Sequence, residues 1–425
     1  MNMWWYLKAA PMDKQAVVCR NLRWFKNSGI MRPSDGFWGV AERILVTADN
    51  QALDRIQRTF TCQTRLAPDV RALEHRRPDC NVQTALLFDL AAEALGDPSY
   101  KTIADNVIDY LVRRSGLRQT GETVPTADLW GWSNPISSHD CWTDDNAWVA
   151  TLLLVLGWRG RPGLSEAGIA AGRALNQLLQ PVAQHLCHHG KDAPLPEVHM
   201  DGLNLSPHWL GLVTMALAHT AAADPDGDYA GFVEAYFTHA ASTPPSYPDD
   251  VRPATEPTLQ RWTLSEYGYL ALAGAIVARQ FELSVARDAA RTAADALVAH
   301  QCETGHFPAE YPEAPTGPHL ADLIYTQNWA TLGLYHAWLL FDRDQKYRRA
   351  LDQSLAFLER IQDRCGEPWY DGCWRGLYDT RLGTWGGGNR HEGGQGSLYS
   401  GWNNAPIALA FLFDLTGESL FARAR

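Results

Sequence analysis

The sequence predicts an all-α protein in which six helical hairpins close into an (α/α)6 toroid. Helices that are apolar around their whole circumference alternate with helices that carry one apolar stripe, a contrast typical of a buried inner ring and a half-exposed outer ring. The alternation recurs at intervals of roughly 60 residues. No long stretch has the apolar–polar alternation of a strand. An open solenoid would expose a face of both helix types, so a closed ring is favoured.

The inner helices are predicted to begin near residues 81, 144, 208, 265, 327 and 403. Segment 144–158 is the clearest inner helix, because it stays apolar after its first turn. Segment 347–361 is the clearest outer helix, with apolar residues at helical spacing. We expect a single domain over 1–425, in which the N-terminal segment 1–70, with a helix around 13–26, closes the ring.

The amino-acid composition makes some classes of function and location less compatible with this chain than others. The net charge of −11 and the lack of a basic run argue against binding to nucleic acid or to an anionic membrane. The eight cysteines form no CxxC pair and are expected to be reduced. No apolar run is long enough to span a bilayer, and residues 1–8 lack the pattern of a signal peptide, so a cytoplasmic protein is expected. The 17 tryptophans suit stacking on sugar rings.

Polar residues cluster at the predicted starts of the inner helices. If these helices run parallel, their starts meet at one end of the barrel. Helix capping explains one such residue per helix, but it does not explain the adjacent pair Asp144 and Asp145 or the neighbouring tryptophans. We therefore expect a shared binding site there. Its candidate substrate-binding residues are Trp142, His208, Trp209, Trp262, Glu266, Tyr325, Gln327, Asn328, Trp329, Trp402 and Asn403.

Residues 366–402 form the longest stretch without a predicted helix. Loops of this length in compact domains are usually functional, and the glycines of this one allow a close approach to a ligand. It lacks the phosphate-loop pattern. Arg390 and His391 are candidates for binding sugar hydroxyls or a sugar carboxylate. Trp385 is a candidate stacking platform, as are Trp209, Trp262, Trp329 and Trp402.

Glycoside hydrolysis requires two carboxyl groups, one protonated and one ionised. Of the adjacent residues Asp144 and Asp145, one is expected to face the barrel as general acid or base and the other to cap the helix. Burial beside Trp142 would raise the pKa of the inward carboxyl, as an acid catalyst requires. The candidates for the opposing carboxylate are, in order, Glu392, Asp79 and Glu266.

From about residue 70 onward the chain loosely resembles the six-hairpin glycosidase superfamily, with the unsaturated glucuronyl hydrolases as the nearest named group. The resemblance rests on Asp79 in Arg77-Pro78-Asp79 and on Asp144 or Asp145 in Trp142-Thr143-Asp144-Asp145-Asn146. In that group one aspartate lies at the first inner-helix start, and the general acid/base lies at the next. Segment 144–148 is also similar to a motif of bacterial endo-mannanases. The resemblance implies hydrolysis of oligosaccharides, with uronic-acid-containing ones as one option.

Other functions remain open on the same toroid. A sugar epimerase or isomerase would need a His or Lys pair at the mouth, where only His208 and His391 are well placed; a polysaccharide lyase is a further alternative. Cys141 with Cys187-His188-His189 could form the zinc site of a lanthionine-cyclase type of enzyme, and non-catalytic sugar binding is the simplest alternative. Our prediction is a glycosidase with an oligosaccharide substrate, no cofactor or metal, and an oligomeric state left open.

Overall fold

A computed structural model describes the chain over eight ranges, 12–47, 62–121, 123–134, 137–188, 194–242, 263–309, 318–386 and 394–422. Within these ranges twelve α-helices form the body of the molecule, and we number them in chain order. The even-numbered helices are the inner ones. They are α2 (Pro78–Leu95), α4 (Thr143–Trp158), α6 (Leu212–Ala223), α8 (Leu264–Phe281), α10 (Gln327–Leu340) and α12 (Ala405–Thr416).

The odd-numbered helices form the outer layer. They are α1 (Lys14–Asn27), α3 (Pro98–Asp109), α5 (Pro162–His188), α7 (Ala230–Ser242), α9 (Ser284–His300) and α11 (Gln345–Ile361). Each inner helix packs against the next one along the chain, and α12 packs against α2, so the inner ring is closed. The outer partner of α12 is α1, which comes from the N-terminal side of the chain. The predicted (α/α)6 toroid is confirmed.

Burial explains why the two layers differ in sequence. Helix α4 is buried continuously from Thr143 to Leu156, because its whole circumference faces other helices. Helix α11 buries only one stripe, which includes Tyr347, Leu351 and Leu358. Its other face carries the charged residues, as expected for a helix with one side in water.

Two inner helices begin with a wider helical turn than the others. A π-helical turn at Pro207–Gly211 precedes α6, and another at Ser400–Asn404 precedes α12. Such turns occur frequently at functional sites. Both lie where the sequence predicted inner-helix starts, near 208 and 403, and each carries a tryptophan.

Short strands, which the sequence did not predict, connect the loops. Each has only two to five residues, too few for a clear alternation. One antiparallel sheet has the order β2-β3-β1-β7 and the other has the order β4-β5-β6. Their strands are β1 (Arg43–Val46), β2 (Gln63–Ala67), β3 (Val70–Leu73), β4 (Leu320–Asp322), β5 (Leu377–Asp379), β6 (Thr384–Trp385) and β7 (Ser397–Tyr399).

The first sheet joins the two ends of the ring. Strand β1 pairs with β7, with Arg43 opposite Tyr399. Since β7 leads directly into the turn before α12, the N-terminal part of the chain is fixed beside the start of that helix. Among the described residues, no helix combines the length and apolar character that crossing a bilayer requires.

Candidate active site at the mouth of the barrel

One arginine connects the first two inner-helix starts. Arg77 immediately precedes α2; its Nε donates to Asp79 Oδ1 at 3.2 Å and its Nη2 donates to Asp145 Oδ1 at 2.6 Å. Asp79 lies in the first turn of α2 and Asp145 in the first turn of α4. Both carboxyl groups are fully buried. The guanidinium therefore places two acids from neighbouring hairpins side by side.

A third acid reaches the same guanidinium from the N-terminal part of the chain. Arg77 Nη1 donates to Glu42 Oε1 at 3.2 Å. The backbone of Glu42 is held between two site elements, because its N–H donates to His75 O and its carbonyl accepts from Ser400 N. The sheet that pairs β1 with β7 thus positions Glu42 as well as joining the ring.

The electrostatics of this cluster favour the protonated form of Asp145. Burial raises the pKa of Asp145 well above its usual value; Arg77 opposes the shift, and the neighbouring Asp79 and Asp144 add to it. Burial likewise raises the pKa of Asp79 against the effect of Arg77. Burial acts in the same direction on Glu42, but Arg43 and Arg77 outweigh it and lower the pKa of that carboxyl. Arg77 and Arg43 cannot neutralise all the buried acids of this cluster, so Asp145 is suited to carry a proton.

Asp144 faces the other neighbouring hairpin. Its Oδ2 lies 3.2 Å from His208 Nε2, although the ring N–H is not aligned for a hydrogen bond. His208 belongs to the π-helical turn before α6. Its backbone N–H donates to Glu266 Oε2 at 3.1 Å, which links the turn to the start of α8. Burial raises the pKa of Glu266, with His208 opposing the shift.

The expectation that one of Asp144 and Asp145 caps the helix is wrong. Both side chains are buried, and each contacts a different neighbour: Asp145 contacts Arg77 and Asp144 contacts His208. Successive residues of a helix point about 100° apart. At the start of an inner helix this angle directs the pair toward the hairpins on either side.

Aromatic rings surround His208 and the acids. His208 stacks on Trp209 with centroids 4.7 Å apart and on Tyr269 with centroids 4.8 Å apart. The ring centroids of Trp209 and Trp142 are in turn 5.5 Å apart. Unlike the buried Tyr269, Trp142, Trp209 and Tyr325 keep part of their surface exposed. They form a rim on which a sugar ring could stack.

Two predicted stacking residues lie below this rim. Trp329 is fully buried between Trp148 and Tyr269. Its ring centroid lies 5.1 Å from that of Trp148 and 5.2 Å from that of Tyr269. Trp402 is 3% exposed and packs against His208 and Arg77. These rings form the floor of the mouth, so the prediction of Trp329 and Trp402 as open stacking platforms is corrected: the closed inner ring covers their faces.

Several buried polar atoms near the acids have no hydrogen-bond partner among the described residues. They are Asp144 Oδ1, Asp145 Oδ2, Asn328 Oδ1, Trp402 Nε1, and both Oδ1 and Nδ2 of Asn403. Buried polar atoms are normally paired with protein or water. A cluster of unpaired ones at converging helix starts is what a site for a polar ligand requires.

Two predicted binding residues point elsewhere. The Gln327 amide donates to Ser354 Oγ of the outer helix α11 and its Oε1 accepts from Phe307 N. Its position on the helix turns it outward, whereas the next residue, Asn328, donates to Trp402 O. Trp385 donates to Asp363 Oδ1, on the loop that follows α11. We therefore withdraw Gln327 and Trp385 from the site.

Four predicted residues, Trp262, Arg390, His391 and Glu392, lie outside the described residues. Their roles stay predictions. The second carboxylate for which Glu392 was favoured is nevertheless available, because Asp79, Asp144 and Asp145 lie around Arg77 and His208.

Sequence reasoning missed Arg77, Glu42 and Tyr269 as members of the site. Arg77 could have been found, because it lies two residues before Asp79 at an inner-helix start. Tyr269 lies about one turn inside α8, where the sequence pattern does not distinguish a site residue from a core residue. Glu42 carried no signal, since only the pairing of β1 with β7 brings it to the mouth.

The zinc alternative gains no support from the residues in the described ranges, where no three His, Cys, Asp or Glu side chains are placed to hold a metal. Cys141 is buried, and burial raises the pKa of its thiol to about 11, which disfavours the thiolate that binds zinc. Cys187 is exposed, and His189 lies outside the described residues.

Comparison by sequence finds no relative. No protein-family model matches the chain, and no curated protein matches it either. The assignment of the fold therefore rests on the structure.

Comparison of structures shows that several solved proteins share the fold of this chain. An unsaturated glucuronyl hydrolase from Bacillus sp. GL1, described as responsible for glycosaminoglycan degradation, matches with a TM-score of 0.58 and 14% identity over 97% of this chain and 98% of that one. A D-mannose isomerase matches with a TM-score of 0.61 and 12% identity over 97% and 100%.

A third similar structure is an α-1,6-mannanase from a Salegentibacter species, with a TM-score of 0.55 and 12% identity over 94% of this chain and 98% of that one. It is an inactive variant in which two consecutive aspartates are replaced by asparagine, in complex with α-1,6-mannotriose. Structural neighbours of this chain thus include hydrolases and an isomerase. At these identities the likeness concerns the fold alone.

Proposed function

We propose that the protein is a glycoside hydrolase whose reaction takes place at the mouth of the barrel, with Asp145 and Asp144 as its catalytic pair. One observation carries the proposal: three buried acids share the single guanidinium of Arg77, and one carboxyl oxygen of Asp145 has no hydrogen-bond partner in the described part of the chain. This is the environment that keeps a carboxyl group protonated for use as a general acid.

In the proposed reaction, Asp145 donates its proton to the glycosidic oxygen as the bond to the anomeric carbon breaks. Asp144 supplies the carboxylate, which either activates water or attacks the anomeric carbon. Among the described residues nothing hydrogen-bonds to Asp144 Oδ1, which leaves this atom for the role, and His208 Nε2 lies 3.2 Å from Oδ2. The half-exposed rings of Trp142 and Trp209 are the proposed stacking surface for the sugar.

The similar α-1,6-mannanase supports this assignment, because a pair of consecutive aspartates was replaced to make that enzyme inactive. Here the pair Asp144 and Asp145 begins the second inner helix. Asp79 is the proposed alternative to Asp144, since it contacts the same guanidinium as Asp145.

The test is a screen of aryl glycosides and oligosaccharides with the wild type and with Asp144→Asn and Asp145→Asn. Each substitution is expected to lower kcat by about 10²- to 10⁴-fold. Asp352→Asn is the matched control, because Asp352 lies on the outer helix α11 with 53% of its side chain exposed, and it should keep wild-type turnover. Full turnover by both site variants, or no hydrolysis of any substrate by the wild type, would refute the proposal.

A sugar isomerase or epimerase is the second candidate, favoured by the match to D-mannose isomerase and by His208 at the mouth. That chemistry exchanges a carbon-bound proton of a free sugar, whereas hydrolysis does not. NMR of free aldoses incubated with the protein in heavy water separates the two. Deuterium at C1 or C2 without loss of glycosidic bonds would favour the isomerase.

A further inference from the structure

The mouth of the barrel is rich in acids. Among the described residues its carboxyl groups include those of Glu42, Asp79, Asp144, Asp145 and Glu266, all at most 7% exposed. The arginines next to them are Arg43 and Arg77. In the described part of the proposed site the acids thus outnumber the arginines.

Both arginines are already engaged with carboxylates. Arg77 contacts Glu42, Asp79 and Asp145. Arg43 Nε lies 3.5 Å from Glu42 Oε2, and its guanidinium donates to the hydroxyl of Tyr399. A ligand carboxylate would have to compete with buried protein carboxylates for either cation, at a cost in like-charge repulsion.

The unpaired polar atoms favour a ligand that donates hydrogen bonds. Asp144 Oδ1, Asn328 Oδ1 and Asn403 Oδ1 are buried acceptors to which no described residue donates a hydrogen bond. A sugar hydroxyl can donate to each of them, whereas an ionised carboxylate only accepts. The unpaired donors near them, Trp402 Nε1 and Asn403 Nδ2, can bind a hydroxyl oxygen equally well.

We infer that the site selects neutral sugars and discriminates against uronic acids in the ring that lies beside Arg77 and His208. The inference rests on the proposed function in that it takes the ligand to be a sugar. It departs from the option of a uronic-acid substrate that the sequence left open. It concerns binding, so it can be tested without turnover.

The experiment measures binding of matched pairs by calorimetry with the full-length protein. Each pair joins a methyl hexopyranoside to the uronate of the same configuration, in the gluco, manno and galacto series. At low salt the preferred neutral sugar should bind at least about tenfold more tightly than its uronate. The difference should shrink in higher salt, which screens charge, and in Asp79→Asn, but not in the control Asp352→Asn.

Three binding results would each overturn the inference. The first is a uronate that binds as tightly as its neutral partner or more tightly; repeating that measurement with Arg390→Gln would then reveal whether Arg390 supplies the cation. The second is a neutral preference that is insensitive to both salt and Asp79→Asn. The third is failure of every sugar to bind. Turnover of a uronide that is lost in Asp145→Asn would overturn this inference alone and leave the hydrolase proposal standing.

Discussion

The Nη2 atom of Arg77 donates to Asp145 Oδ1 at 2.6 Å, and this ion pair ties the start of the first inner helix to the start of the second. Because the same guanidinium also contacts Asp79 and Glu42, the protonation of one acid depends on the others.

The first prediction concerns pH and activity. Because burial raises the pKa of Asp145, its proton is retained above the usual Asp value of 3.8. As a general acid it should support turnover up to that raised pKa, and kcat/KM should fall as the pH rises through it. Asp145→Asn should lose this limb of the profile while Asp352→Asn keeps it. An unchanged limb in Asp145→Asn would assign the proton to another group.

The second prediction concerns pH and stability. A carboxyl group whose pKa is higher in the folded state than in the unfolded state stabilises the fold at low pH, and this contribution is lost as the pH rises through the folded-state pKa. Asparagine does not ionise, so it avoids the cost of burying a charged carboxylate at high pH. The Tm of Asp145→Asn relative to the wild type should therefore be more favourable at pH 8 than at pH 4. Thermal unfolding at the two pH values measures this difference in Tm. A Tm of Asp145→Asn that decreases relative to the wild type from pH 4 to pH 8 would contradict the raised pKa.

The third prediction concerns Arg77. Arg77→Met should lower the free energy of unfolding by about 3–5 kcal/mol, because it leaves buried acids without their cation. The free energy of unfolding of Arg77→Lys should lie between those of Arg77→Met and the wild type, since one ammonium cannot reproduce contacts made by three guanidinium nitrogens. Urea unfolding at neutral pH measures both. A Met variant as stable as the wild type would mean that the acids are neutral without Arg77.

The fourth prediction concerns the contact between the first and sixth hairpins. A Cβ at Gly401 would lie 2.4 Å from the backbone Cα of Cys80, so Gly401→Ala should push the start of α12 away from α2. We expect a loss of about 1–3 kcal/mol in unfolding free energy together with reduced turnover. Gly231→Ala is the control, since nothing lies within 4 Å of its Cβ. Equal stability of the two variants would argue against this close approach.

The fifth prediction concerns the aromatic rim. Gly202 has a φ of +69°, and a Cβ there would lie 2.4 Å from the ring of Trp209. Gly202→Ala should displace Trp209 and raise KM several-fold. Gly160→Ala is the matched control, because its φ is +98° but its Cβ would meet nothing within 4 Å. If both variants raise KM equally, backbone strain and not the ring accounts for the effect.

The sequence predicted the barrel well because burial determines which helices are apolar all round. It also predicted that Asp79, Asp144, His208 and Glu266 converge, since parallel helices bring their starts together. The direction of a single side chain is a finer property: Gln327 and Asn328 are adjacent, yet one faces the outer helix and the other the neighbouring inner start.

The part played by Glu42 could not be predicted, because it depends on pairing between strands of three and four residues that are far apart in the chain. Short strands of this kind have no pattern strong enough to detect. The number of acids around Arg77 is likewise a product of tertiary contacts, and it determines which acid is protonated.

The most direct test of the acid role of Asp145 compares leaving groups. Wild type and Asp145→Asn are assayed on aryl glycosides of the best substrate sugar, with phenols of increasing acidity as leaving groups. Because a poor leaving group needs the proton most, the account predicts a loss of about 10²- to 10⁴-fold with the least acidic phenol and a much smaller loss with the most acidic one. An equal loss across the series, or none, would contradict it.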